Sequence, residues 1–300
     1  MKTFIFSAIL TIFGVSLMAQ TPVSIKLNLE KGKLYSVKTT SKQTMEIVAS
    51  GQLFNVEATS NNVVTYKVLK QVNDIMDIEF KFDTIASKTT SPMGNQETNS
   101  AKPGGNEPQG IIMNKFSANK IIAKISTAGK FIDFVNYPAF KDKIMFVLDS
   151  IPATKRDQAK IVADAVLQES AIRTRIEPLF AYLPENAVKT GDSWDTSYSL
   201  IANGASMLSL NTFTLKSIEK NAANVSGKSE IESLPSNDPN AQMTQALKGT
   251  MTSDGTIDLT TGLITKNTSK GHIEGTMTMK SNNMEMKLKM DSQSEVTTIK

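Results

Sequence analysis

The chain has 300 residues, a formal charge of +4 and no cysteine. The missing thiols exclude disulfides, thiolate metal sites and cysteine nucleophiles together. With 33 basic side chains against 29 acidic ones, dispersed along the chain, the charge gives no footprint for a nucleic-acid partner.

The first twenty residues read as a targeting segment and not as part of a fold. Lys2 gives a positive start, Phe4 to Met18 form an apolar run, and the small Ala19 offers a cleavage point. A run of this length suits a secretory signal and is short for a membrane span, and no basic stop-transfer cluster follows it. The expectation is a signal peptide over 1–19 and an exported protein, periplasmic or secreted, with no stable membrane insertion after cleavage. Lipid modification of the bacterial lipoprotein kind would need a cysteine. The remaining stretch, roughly 280 residues, is long enough for a substantial core without covalent staples.

Residues 20–137 read as a first β half. Val23, Ile25, Leu27 and Leu29 alternate with polar residues, the period of a half-buried strand. Lys31-Gly32-Lys33 marks a turn, and Thr- and Val-rich runs follow over 34–49, 56–72 and 75–85. In the last of these Ile78, Phe80 and Phe82 share one face, opposite Glu79 and Lys81. Long alternating strands joined by short turns describe an antiparallel meander with one wet face. Residues 88–110 interrupt it: three prolines, four glycines and no apolar period predict a flexible loop, with a mobile lid as its functional alternative. Residues 111–135 return to strand, with a hairpin turn at Ser126-Thr127-Ala128-Gly129.

Residues 138–183 change period. Apolar residues at spacings of three and four run from Phe140 to Leu148, and Thr154 with Asp157 resembles a capping box. Ile161, Ala165, Ile172, Ile176 and Phe180 then trace a helical packing stripe, broken by Gln168. Two or three helices fit, with Pro178 ending or kinking the last.

Residues 184–300 read as a second β half. Asp258-Leu259-Thr260-Thr261-Gly262 is a hairpin signal with glycine where a three-residue loop needs it. In the last hairpin a two-residue turn at Asn282-Asn283 would set Lys280 against Glu285, Met279 against Met286, Met277 against Leu288 and Gly275 against Met290. Every large apolar group then shares one face.

Gly32-Lys33-Leu34-Tyr35 and Gly191-Asp192-Ser193-Trp194 both place a turn glycine three positions before an aromatic, and turn glycines recur at Gly129 and Gly262. Two related β halves around a helical middle would account for this echo. The pattern of Leu27, Leu29, Gly32, Lys33 and Tyr35 early, then Leu183, Pro184, Val188, Gly191, Asp192, Ser193 and Trp194, resembles exported proteins of the Bacteroidota type grouped as a domain of unknown function. The resemblance covers most of the mature chain and implies a periplasmic or secreted protein. It supplies no activity and no catalytic residue.

Candidate chemistry is thin. Gly191-Asp192-Ser193 looks like an esterase nucleophile block, but the single histidine, His272, lacks the aspartate three positions earlier that such enzymes provide. The turn reading is preferred, and His272 is expected on the polar face of its strand. Phosphate loops and His-Glu-x-x-His patterns are absent. No catalytic residue, metal ligand or cofactor is assigned. Met277, Met279, Met284, Met286, Leu288 and Met290 form the tentative apolar wall for a ligand. Core packing is the bland reading of the same face, and a soft Cu(I) or Ag(I) site on its thioethers is a further one.

The expected fold is α+β: a long curved antiparallel sheet or two related β halves, with the helical segment packed over one face. The expected role is a non-enzymatic exported protein that binds an apolar small molecule or lipid in the concave space. A structural or interaction protein of the envelope, with a filled interior, stands beside it.

Overall fold

The computed structural model describes residues 21–102, 108–202, 205–234 and 243–299. The expected signal peptide and residues 103–107 of the expected loop lie outside the described residues. The strands are β1 (Tyr35–Ala49), β2 (Gln52–Val72), β3 (Ile75–Ser91), β4 (Gly94–Asn99), β5 (Lys120–Ser126), β6 (Phe131–Phe134), β7 (Ser193–Ala202), β8 (Ala205–Glu219), β9 (Ala222–Ser233), β10 (Met243–Asp258), β11 (Ile264–Met279) and β12 (Met284–Ile299). They form one antiparallel sheet in the order β6-β5-β3-β2-β1-β12-β11-β10-β9-β8-β7, with β4 paired to the far end of β3. Because β1 lies against β12, the two β stretches run into each other as one sheet.

The sheet curls. The larger apolar core cluster takes Val37, Val64 and Phe80 from one wing and Leu215, Val225 and Ile257 from the other. Helices α1 (Pro108–Ala118), α2 (Tyr137–Met145), α3 (Ala153–Val166) and α4 (Glu169–Ile176) contribute Ile112, Phe140, Ala163 and Ile172 to that core. The architecture is α+β with a curved sheet, as the alternating and helical periods predict. Ile78, Phe80 and Phe82 share the buried face of β3, and removing each from water contributes about 2–3 kcal/mol.

Several local expectations fail for physical reasons. Residues 88–110 are not a continuous loop: β3 runs on to Ser91 and pairs with β4 from Ser91↔Gly94 to Ala86↔Asn99. This hairpin is polar on both faces, so it carries no apolar period. Its turn is tied by Ser91, whose Oγ accepts the Met93 amide and donates to the Gly94 carbonyl. Residues 108–118 are helix, not strand, because Ile112, Met113 and Phe116 meet the core at helical spacing. Residues 23–29 have the expected alternation, with Ile25, Leu27 and Leu29 buried, but they join no ladder. They run as an extended strap held by Val23 on Val188, the Leu27 amide on the Thr127 carbonyl and the Asn28 amide on the Thr261 carbonyl.

The helical stripe is only half right. α3 begins after Pro152, which places Thr154 inside its first turn, and no side chain caps it. A break at Leu167-Gln168 then resets the phase before α4. The buried face of α3 is Ala159 and Ala163, while Ile161 is 71% exposed. Ile172, Ile176 and Phe180 are buried as expected, and Pro178 lies in a short 3-10 turn, Glu177–Leu179, that ends α4.

In the last hairpin only Asn283 has a positive φ, 51°, whereas a two-residue type I′ turn needs both central residues there. Four residues, 280–283, therefore form the loop, and the register moves by two. Met279 faces Met284, Met277 faces Met286, Gly275 faces Leu288 and Ile273 faces Met290. A shift of two keeps each side chain on its face, so the apolar face survives the change. Gly32 and Gly191 both turn the chain with φ of 80° and 95°, and the strands they lead into lie mid-sheet (β1) and at an edge (β7).

Candidate ligand cavity

The helical middle of the chain becomes a roof because of how 177–198 is fastened. Phe180 sets its ring edge-on to Tyr66 at 5.5 Å and lies 6.1 Å from Phe80. The Tyr182 hydroxyl donates to the Gly262 carbonyl at 2.9 Å and accepts the Ile264 amide at 3.0 Å. Trp194 stacks on Phe213 and donates its indole N–H to the Tyr182 carbonyl at 3.0 Å, and Thr196 donates to the Ala181 carbonyl. These bonds tie the end of α4 to the edge strand β7 and to the β10–β11 loop. Gly191, Asp192 and Ser193 make the turn that starts β7: the Asp192 carboxylate accepts the Lys189 amide, and the Ser193 hydroxyl pairs with Thr214. His272 is not near them. It lies on the outer face, with Nδ1 2.8 Å from Asp291.

Below the roof the inward side of the sheet changes character along its strands. Ser60, Ser41, Ser294, Ser269 and Ser253 stand directly opposite one another on β2, β1, β12, β11 and β10. The Ser41 and Ser60 hydroxyls are 2.8 Å apart, and those of Ser269 and Ser294 are 2.6 Å apart. Gly227 on β9 continues the row opposite Ser253. Such side chains are too short to reach the roof. Where Ser253, Ser269 and Ser294 lie, the curled sheet and the helices border a cavity of about 590 Å³.

Its walls include Val37, Val64, Phe82, Val225, Leu263 and Val296, with Ala171, Leu179 and Tyr182 above. Tyr66, Tyr182 and Tyr198 also line it, and burial raises the pKa of all three hydroxyls, so they are neutral donors. The Tyr66 hydroxyl is buried with no hydrogen-bond partner. Arg175, from the last turn of α4, is the one charged side chain among the lining residues. A larger, more polar depression beside it shares Ala181, Asn211, Ser229 and Met251 with the cavity, so the two adjoin.

The methionine face lies elsewhere. Met277, Leu288 and Met290 are buried, and Met286 is partly buried, in a second apolar cluster with Met45, Met207, Ile231, Leu247 and Ile273. Met279 and Met284 are half-buried at the hairpin end. None of these six lines the roofed cavity; Leu288 alone borders a separate shallow depression with Met243 and Leu247. The row of serines separates the two apolar regions. Met243, Met279 and Met284 do stand in register across β10, β11 and β12, the arrangement a soft ion would need. Among the described residues no three His, Asp or Glu gather as a metal site.

A model of the family of unknown function DUF6263 matches residues 73–264. The chain belongs to the DUF6263 family. The match takes in the helical middle, Arg175 and the Trp194 turn, and it leaves β1, β2, β12 and all of β11 beyond Ile264 outside. None of the curated proteins matches this DUF6263 chain. Among solved structures, one described as lipid–protein interactions in lipovitellin aligns with a TM-score of 0.48 at 9% identity. It takes in 91% of this chain, which spans about a quarter (26%) of the lipovitellin chain. An outer membrane channel from Pseudomonas putida F1 aligns at 0.24 and 9% identity, over 91% of this chain and 97% of that one. A DUF1329 family protein from Desulfovibrio piger aligns at 0.12 and 9%, over 84% and 83%. Likenesses of this size assign no ligand to the DUF6263 chain. None of its described helices is long and apolar enough to cross a membrane.

Proposed function

We propose that this protein is a non-enzymatic, exported carrier or sequestering protein, of the Bacteroidota type, that holds one apolar, lipid-like ligand beneath the helical roof. The observation that carries the reading is the cavity itself. Its volume of about 590 Å³ falls in the roughly 300–1,000 Å³ range of small-molecule sites. More than half of its lining residues are aliphatic or aromatic and the rest are mostly hydroxyl and amide groups, so a ligand there can be held by burial and oriented by polar contacts. An interior filled for structural purposes alone would carry large side chains where the serine row stands. The apolar run at 4–18 supports export.

Native mass spectrometry of protein isolated from its own compartment, followed by organic extraction, tests the reading. One bound lipid-like molecule per chain is expected. A clean apo mass, together with failure of apolar probes to displace a solvatochromic dye from the delipidated protein, would leave a filled structural protein as the better account.

A further inference from the structure

We propose that the ligand is an acidic amphiphile, whose single anionic head, carboxylate or phosphate, is paired to Arg175 at the roof of the cavity while its apolar part lies below. This inference rests on the carrier reading and makes it chemically specific.

The argument begins with two arginines on one short helix. Arg173 and Arg175 are two positions apart on α4, so they point to different sides of it. Arg173 faces outward and is satisfied. Its Nε and Nη2 reach the two carboxylate oxygens of Glu177 at 3.1 and 3.0 Å, and its guanidinium covers the Phe131 ring at 4.9 Å. Arg175 faces inward and is not. Its Nε is buried without an acceptor, and its only ring contact is Phe116 at 5.9 Å. No ion pair or hydrogen bond joins it to any described residue. Burial alone lowers its pKa, with no carboxylate to oppose the effect.

An arginine stays charged in proteins, so a guanidinium in such a place asks for an anion. The cavity provides none: its lining contains no aspartate or glutamate. Most of the Arg175 surface is covered by protein, and the residue is among those that line the void. A guanidinium presents its donors in a fork that matches a carboxylate or phosphate. Tyr66, whose hydroxyl is also without a partner, belongs to the same lining. One charge among walls that are otherwise uncharged, with an apolar stretch beside the hydroxyl and amide groups, suits one acidic head on one apolar body. A zwitterionic head would bring a cation for which the lining offers no carboxylate.

The test uses the full mature chain after delipidation, with binding measured by calorimetry. The probes are palmitate, hexadecanol and lysophosphatidic acid. Palmitate or lysophosphatidic acid should bind at least roughly tenfold more tightly than hexadecanol, the worth of a charge-assisted hydrogen bond. Which acid binds better separates the carboxylate from the phosphate source. R175M should remove the preference, so that palmitate and lysophosphatidic acid bind no more tightly than hexadecanol, while R175K should keep part of it. The apo melting temperature of R175M should not fall, because a buried unpaired charge is replaced by an apolar side chain of similar length. Equal binding of palmitate, lysophosphatidic acid and hexadecanol by the wild type would overturn the inference and leave the carrier reading standing. A preference that persists in a folded R175M would also overturn it. Binding of no probe at all would remove the carrier reading, and this inference with it.

Discussion

At the scale of single residues, the backbone is constrained most where the strap crosses the β10–β11 loop. Gly262 has φ of 75°, and a Cβ there would meet the Lys26 carbonyl. Its own carbonyl accepts the Tyr182 hydroxyl, so strain at this point spreads to strap and roof together. G262A should cost more than about 1 kcal/mol in urea unfolding, since a left-handed position and a steric clash combine. An unchanged midpoint would mean that the strap does not dock as described. His272 makes a different kind of case. Its hydrogen bond with Asp291, helped by Glu274 and opposed by slight burial, raises the imidazole pKa. A raised folded value means stabilisation that is complete below the unfolded value of about 6.5 and lost as pH rises through the folded one. H272N should therefore be slightly less stable than the wild type at pH 5 and equal to it at pH 8. Denaturant midpoints at the two pH values read this directly, and the ring is exposed enough that the gap should be small.

At the scale of elements, Trp194 decides how the roof meets the edge strand. W194F keeps a ring against Phe213 but leaves the Tyr182 carbonyl without its donor. About 1–3 kcal/mol of stability should be lost, followed by circular dichroism because the protein's own tryptophan signal goes with the substitution. A loss below 0.5 kcal/mol, a few tenths at roughly the level of a surface change, would contradict the fastening role. Elements of this kind were partly legible in the sequence. Strands whose alternate residues meet the core, such as β3, declare themselves through Ile78, Phe80 and Phe82. The β3–β4 hairpin does not, because both its faces are polar and its backbone ladder leaves no apolar period in the sequence. α1 was misread because a run such as Ile111-Ile112-Met113 fits either period, and the core contact of Phe116 decides it. The strap at 23–29 has a strand's alternation without a strand's partners. Alternation records burial of one face and says nothing about what pairs with the edges.

At the scale of the whole molecule, small residues from distant parts of the chain arrive in one row, and three of them, Ser253, Ser269 and Ser294, line the cavity. That row was not legible in the sequence: Ser41, Ser60, Ser253, Ser269 and Ser294 look like ordinary polar positions until the register aligns them. Arg175 was likewise hidden, because charge on a helix usually marks a solvated face, and only the curl of the sheet turns this one inward. The methionine face was legible as an apolar surface, but the sequence could not say at which end of the sheet the roof would fall. Filling the row tests its role. S269L and S294L made together remove both members of one hydrogen-bonded pair, so neither hydroxyl is left orphaned, a change that is nearly neutral or stabilising when shapes allow. Two leucines placed below the roof occupy the space that the ligand reading requires. The double variant should melt within a few degrees of the delipidated wild type, or above it, and should be isolated without a bound molecule. It should also lose the thermal upshift that added ligand gives the wild type, which follows the logarithm of ligand concentration over its dissociation constant. A variant that still takes up the extracted ligand with unchanged affinity would place the binding surface elsewhere, and the half-buried Met279 and Met284 at the far hairpin would then be the next region to probe.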